Sequence, residues 1–245
     1  DSPEIITSSG STFILISFLA ALIQPVQAQS YIYEVTRYEV NFFANADGTA
    51  SIEYYVDFKN SSTGPTIEYV DIGLPNKNFD LSSVSADVDG VPVKVVNGDP
   101  EYVPIGITAE LGAQAIPAGS SATFHLFVPI QRDMFYVSRL TDESEQYASF
   151  NFSPNNFGPG VQGRSDYIVT LFLPAGVEPE EPRYHTPEGW PGADEPQSGY
   201  TADDRVYYFW QSGEAQVDQT YIFGASFPAR LLPTEVIQQE PKASF

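Results

Sequence analysis

Three side chains in the most irregular part of the chain have the chemistry of a recognition site. Tyr184, His185 and Trp190 fall within residues 174–199, a stretch with proline at 174, 179, 182, 187, 191 and 196 and no apolar period. A phenol, an imidazole and an indole offer flat apolar faces with polar rims, which suit a sugar ring or a peptide segment. A loop of that length inside a compact domain is functional or mobile, so these three are the candidate ligand-binding residues. The competing structural account is that the rings fold back to cover a sheet edge.

Other chemistry is thinner. His185 has Glu180, Glu181 and Glu188 close by in sequence, yet a metal site needs several ligands that converge. The other histidine, His125, lies inside Phe124-His125-Leu126-Phe127 and reads as a strand position rather than a ligand. Asp87 and Asp89 match a fragment of a calcium loop without its remaining spacing or closing glutamate, so a turn explains them better. No metal and no cofactor is expected. The 32 acidic residues offer many carboxylate pairs for a hydrolase, and no pair stands out. A Gly-x-Ser-x-Gly elbow and a glycine-rich phosphate loop are both absent, so no catalytic residue is assigned. Asn60-Ser61-Ser62 and Asn151-Phe152-Ser153 match glycosylation sequons.

Charge and composition narrow the partners. With 11 basic against 32 acidic residues, the formal charge is −21, which repels a nucleic-acid backbone and disfavours docking onto anionic lipid. The chain has no cysteine, so burial rather than disulfides must hold the fold, and thiol chemistry is excluded. Fifteen Tyr and 17 Phe against 2 Trp, with 20 Pro and 18 Gly, favour pleated strands and frequent turns over long helices.

The elements that must position these residues follow a period of two. In residues 31–59, Tyr38, Val40 and Phe42 alternate with Arg37, Glu39 and Asn41; after Asn45-Ala46-Asp47-Gly48, Ala50, Ile52, Tyr54, Val56 and Phe58 share one face. Strict alternation around an Asp-Gly turn predicts a β-hairpin. A second hairpin is expected around Asp89-Gly90, with further strands in 67–74, 102–111, 122–130, 147–152, 166–173, 205–211 and 217–227. Turns spaced this closely predict an all-β fold, an antiparallel β-sandwich of one or two immunoglobulin-like units. The acidic loop 141–145 sets a soft boundary between a first sandwich domain, 29–140, and a second, 141–232, with 233–245 a polar linker.

At the start, residues 13–23 form an apolar core too short to span a bilayer comfortably and of signal-peptide length, followed by Pro25 and a Val26-Gln27-Ala28 cleavage pattern. Residues 1–28 are thus expected to be a signal peptide or N-terminal anchor, although no Lys or Arg precedes the apolar core. The chain is expected outside the cytoplasm, in the cell envelope or secreted.

With this start, the opening Tyr38-Glu39-Val40-Asn41 and Asp47-Gly48, the run from Leu171 to His185 and the segment Phe223-Gly224-Ala225-Ser226-Phe227-Pro228, the chain resembles the ectodomain of uncharacterised bacterial predicted membrane proteins. That resemblance implies a signal peptide, a β-rich extracytoplasmic region and a following transmembrane helix, and it transfers no catalytic residue. The sequence ends at Phe245 before any such span, which suggests a fragment. The expected function is a tethered, non-enzymatic ectodomain for binding, adhesion or envelope assembly. Its partner would be a protein or glycan at the cell surface, with membrane contact only through an anchor. A carbohydrate-binding module and a carboxylate-pair hydrolase are the alternatives.

Overall fold

The computed structural model describes residues 31–140, 143–158 and 160–239. The expected leader or anchor, 1–28, lies outside the described residues. The opening hairpin is β1 (Tyr33–Ala44) and β2 (Ala50–Asn60), with Tyr38 opposite Val56, Val40 opposite Tyr54 and Phe42 opposite Ile52. All six are fully buried, as period-two alternation demands of one face. Val35 breaks the period: it is buried on the same side as Tyr38 because the register shifts between Val35 and Arg37, a β-bulge. At the turn, Gly48 takes φ +84°, and a side chain there would meet Val236 Cγ2 at 2.4 Å. Asp47 closes the turn by accepting from Thr49 N at 2.9 Å, and this bond with the Thr49 hydroxyl's holds its carboxyl below the usual range.

The chain continues as β3 (Tyr69–Gly73), β4 (Ser85–Val88), β5 (Val91–Asn97), β6 (Gly106–Glu110), β7 (Ser121–Gln131) and β8 (Tyr136–Val137). Then follow β9 (Tyr147–Phe152), β10 (Val161–Gln162), β11 (Asp166–Phe172), β12 (Arg183–His185), β13 (Gln197–Tyr200), β14 (Val206–Ser212) and β15 (Phe223–Pro228). Asp89 and Gly90, both at positive φ, make the expected tight turn between β4 and β5. Only short 3-10 segments interrupt the strands among the described residues, and no helix there is long and apolar enough to cross a membrane.

Eleven strands form one large sheet in the order β13-β14-β11-β1-β2-β7-β4-β5-β6-β3, with β10 also beside β1. A second, antiparallel sheet runs β12-β15-β9-β8. The fold is all-β and sandwich-like, and it adds parallel pairs to the antiparallel ladders, since β1 runs parallel to both β10 and β11. A parallel neighbour needs a long crossover, and here the connection from β1 to β11 passes through both sheets before returning. The ranges 29–140 and 141–232, expected as separate units, contribute strands to the same large sheet and side chains to one buried cluster.

The two layers meet through aromatic rings. Phe42 stacks on Phe150 at 4.6 Å and touches Phe152 at 5.0 Å, joining the middle of the large sheet to the middle of the small one. Burying each such ring contributes about 1.5–3 kcal/mol, the main force holding the layers together. Residues 233–239, expected as linker, are instead docked: Gln238 N donates to Phe135 O and Val137 N donates to Gln238 O, each at 2.9 Å. The short edge strand β8 leaves backbone groups that this segment satisfies.

Candidate functional site

The outer face of the small sheet gathers polar side chains from three strands. Register places His185 opposite Gly224, Gly224 opposite Asn151, and Ser226 opposite Ser149. Because alternate residues point to opposite faces, His185, Ser226, Ser149 and Asn151 face outward while Tyr184, Ala225 and Phe150 face the core. His185 Nε2 lies 2.9 Å from Ser226 Oγ, and Nδ1 lies 3.0 Å from Asn151 Oδ1. Ser226 Oγ is in turn 2.6 Å from Ser149 Oγ. An amide oxygen only accepts, so Nδ1 carries a proton and, in the neutral ring, Nε2 accepts from the Ser226 hydroxyl. Burial lowers the His185 pKa from its usual 6.5, favouring that neutral form.

Gly224 makes this contact possible. A Cβ at Gly224 would come within 2.5 Å of both His185 Nδ1 and Phe150 O, and 2.8 Å of Asn151 Oδ1. Hydroxyl, imidazole and carboxamide thus stand in the order of a nucleophile, a base and an orienting group. The hydroxyl is closed off: Ser226 is 2% exposed and Ser149 3%. No substrate atom reaches Ser226 Oγ in this arrangement.

Of the members of this network, Asn151 borders open space. A cleft of about 320 Å³ runs past it, with Asn76, Asp133 and Gln238 as further polar walls. Pro75, Met134, Phe135 and Tyr136 supply the apolar walls. Asn76 is a fixed part of the frame: its Nδ2 donates to Arg132 O at 2.9 Å, and its Oδ1 accepts from Gln131 Nε2 at 2.7 Å and Asn78 N at 2.8 Å. Asp133 accepts from Asn78 Nδ2 across the same loop.

The three residues proposed from sequence are not brought together. Tyr184 packs into the core against Tyr208 at 5.7 Å and Trp210 at 6.4 Å. Trp190 is 7% exposed and meets Tyr167, Tyr221 and Phe223 edge-on, so its ring belongs to the interior and forms no open platform with Tyr184. His185 alone of the three reaches the polar network. Asn151, Ser149 and Ser226 were missed as site residues, although the alternation of polar with aromatic residues in Ser149-Phe150-Asn151-Phe152 marks the outward face of the first two.

A second histidine network lies on the outer face of the large sheet. His125, on β7, has Nδ1 2.8 Å from Asp87 Oδ2 on β4 and Nε2 3.1 Å from Glu53 Oε1 on β2. Its ring stacks on Tyr55 at 4.5 Å, and the Tyr55 hydroxyl donates to Glu53 Oε1 at 2.9 Å. Burial first, and the Glu53 carboxylate second, push the Tyr55 phenol up to about 12. Asp87 and Asp89 serve the hairpin turn, accepting from Gly90 N and Thr123 N at 2.9 Å each. Among the described residues no group of three or more His, Cys, Asp or Glu side chains is arranged to hold a metal ion. The first sequon is also structural: Asn60 is 2% exposed, and its Nδ2 donates to Pro65 O at 2.8 Å and Ile116 O at 2.9 Å.

No protein-family model and no curated protein sequence matches the chain. Among solved structures it is similar to an M1 zinc metallopeptidase from Deinococcus radiodurans, with 9% identity and a TM-score of 0.49 over 78% of this chain and 42% of that one. A mutant of that enzyme bound to a Tyr-Ser-Ala substrate gives 10% identity and a TM-score of 0.48 over the same shares. The chain therefore spans less than half the length of these solved proteins, and likeness at this level assigns it no activity.

Proposed function

We propose that the chain is an extracytoplasmic binding module, the outer part of a membrane-tethered protein of the bacterial envelope, that engages a surface protein or glycan without chemical conversion. The apolar run at 13–23 and the family resemblance support export and tethering. One observation carries the binding reading: in side chains arranged like an acyl-transfer apparatus the hydroxyl of Ser226 is sealed, and the member that borders a cleft is the carboxamide of Asn151, a group that binds rather than reacts. The His185 contact fixes the Asn151 oxygen, leaving its NH₂ as the group available to a ligand.

The test pairs two assays on the full chain. A fluorophosphonate that labels activated serines is expected to leave Ser226 unmodified, and the fluorescent protein is expected to bind isolated cell envelopes saturably. Stoichiometric labelling of Ser226, or no saturable envelope binding, would overturn the reading.

A further inference from the structure

We infer that the cleft beside Asn151 is a subsite for a neutral, hydroxyl-rich ligand, a single sugar ring at the end of a glycan. This deepens the binding reading above and rests on it. The volume, about 320 Å³, is at the small end of ligand pockets, which limits the occupant to one or two rings.

The chemistry of the walls selects the class. Each sugar hydroxyl both donates and accepts, and a carboxamide offers both functions from one planar group. Asn151 and Gln238 supply two such groups, and the Asp133 carboxylate adds an acceptor. Gln238 is held in place by its backbone bonds to Phe135 and Val137, with its side chain unused in them. The Asn151 carboxamide is oriented by His185, which Ser226 holds from the other ring nitrogen. Pro75 and Met134 provide the apolar surface against which the C–H face of a sugar ring packs. Among the described residues no Lys, Arg or His lines the cleft, so they offer an anionic ligand no counter-charge there, in a chain of net charge −21.

The experiment is an NMR titration of the full isotopically labelled chain, followed at the side-chain NH₂ signals of Asn151 and Gln238. The probes are methyl glycosides of glucose, galactose, mannose and N-acetylglucosamine, taken to their solubility limits, with inorganic phosphate and spermidine as charged comparators. At least one glycoside is expected to shift both signals saturably, and Asn151→Ala to weaken that response at least tenfold. Gln238→Ala, which leaves every strand contact intact, is expected to weaken it several-fold with an unchanged thermal midpoint. Silence of both signals to every glycoside, a response only to phosphate or spermidine, or glycoside binding that survives both substitutions would overturn the assignment. If envelope binding persists while the glycosides are silent, the sugar subsite fails and the broader binding role stands.

Discussion

His125 and His185 both sit on the outer face of a sheet and both join three strands, yet their neighbours give them different work. The ring of His125 lies between two carboxylates with side chains 23% and 27% exposed, and the Glu53 carboxylate also accepts from Tyr55 and Asn41. These contacts are part-buried, and solvent still screens the two carboxylates, which limits what the network adds to stability. The ring of His185 instead lies between an exposed amide and a buried hydroxyl, and on the hydroxyl side, where Ser226 and Ser149 are closed off, an unmade hydrogen bond has no solvent to replace it. Chemical type therefore says less than burial about what a histidine does here.

The largest effect that would sharpen the contrast comes from the layer beneath. Phe150→Ala removes the ring stacked on Phe42 and is expected to destabilise the chain by about 3–5 kcal/mol in urea unfolding. Tyr55→Ala, which removes the ring under His125, should cost well under half of that. Next is Ser226→Ala, which strips the shared partner from the buried Ser149 hydroxyl and the part-buried His185 ring and is expected to cost about 1–3 kcal/mol. Asp87→Asn in the part-buried, solvent-screened network should cost about 1 kcal/mol or less, and equal losses from these two substitutions would break the comparison.

Smaller effects appear in the pH dependence. The folded-state pKa of His185 is below 6.5, so the unfolded chain binds its proton first. Its contribution to stability is fully present above pH 6.5 and is lost as pH falls from there through the lowered folded value. Urea midpoints recorded down the pH scale should show this slope in the native chain and a reduced slope in His185→Gln. Finally, Glu53→Gln should bring the Tyr55 phenol down from about 12, read by NMR of ring-labelled tyrosine; an unmoved value would assign the shift to burial and to the Glu39 and Asp87 carboxylates.

Local pattern was legible in the sequence where chemistry and period agreed. The Asp47-Gly48 and Asp89-Gly90 hairpins were readable because the turn residues and the flanking alternation point to the same geometry. In residues 174–199 the prolines hid two short strands, β12 and β13, whose edge positions tolerate such a sequence. His185 could be singled out as polar in an irregular stretch. Its partners could not, because the register of β12, β15 and β9 is set by contacts between segments far apart in the chain. Trp190 misled for a related reason: composition marks an aromatic in a loop, while only the packed structure reveals Tyr221 and Phe223 around it.

The parallel neighbour of β1 also bears on how the molecule is made. A chain that emerges N-terminus first can close the hairpin of β1 and β2 early, but the other edge of β1 waits for Asp166–Phe172 to follow. During that interval a long, apolar-backed edge stands open to other chains, and folding speed is limited by a late, non-local docking event. A holding chaperone would find its target there, and a product stalled before β11 would be prone to aggregate rather than remain as a stable half-molecule.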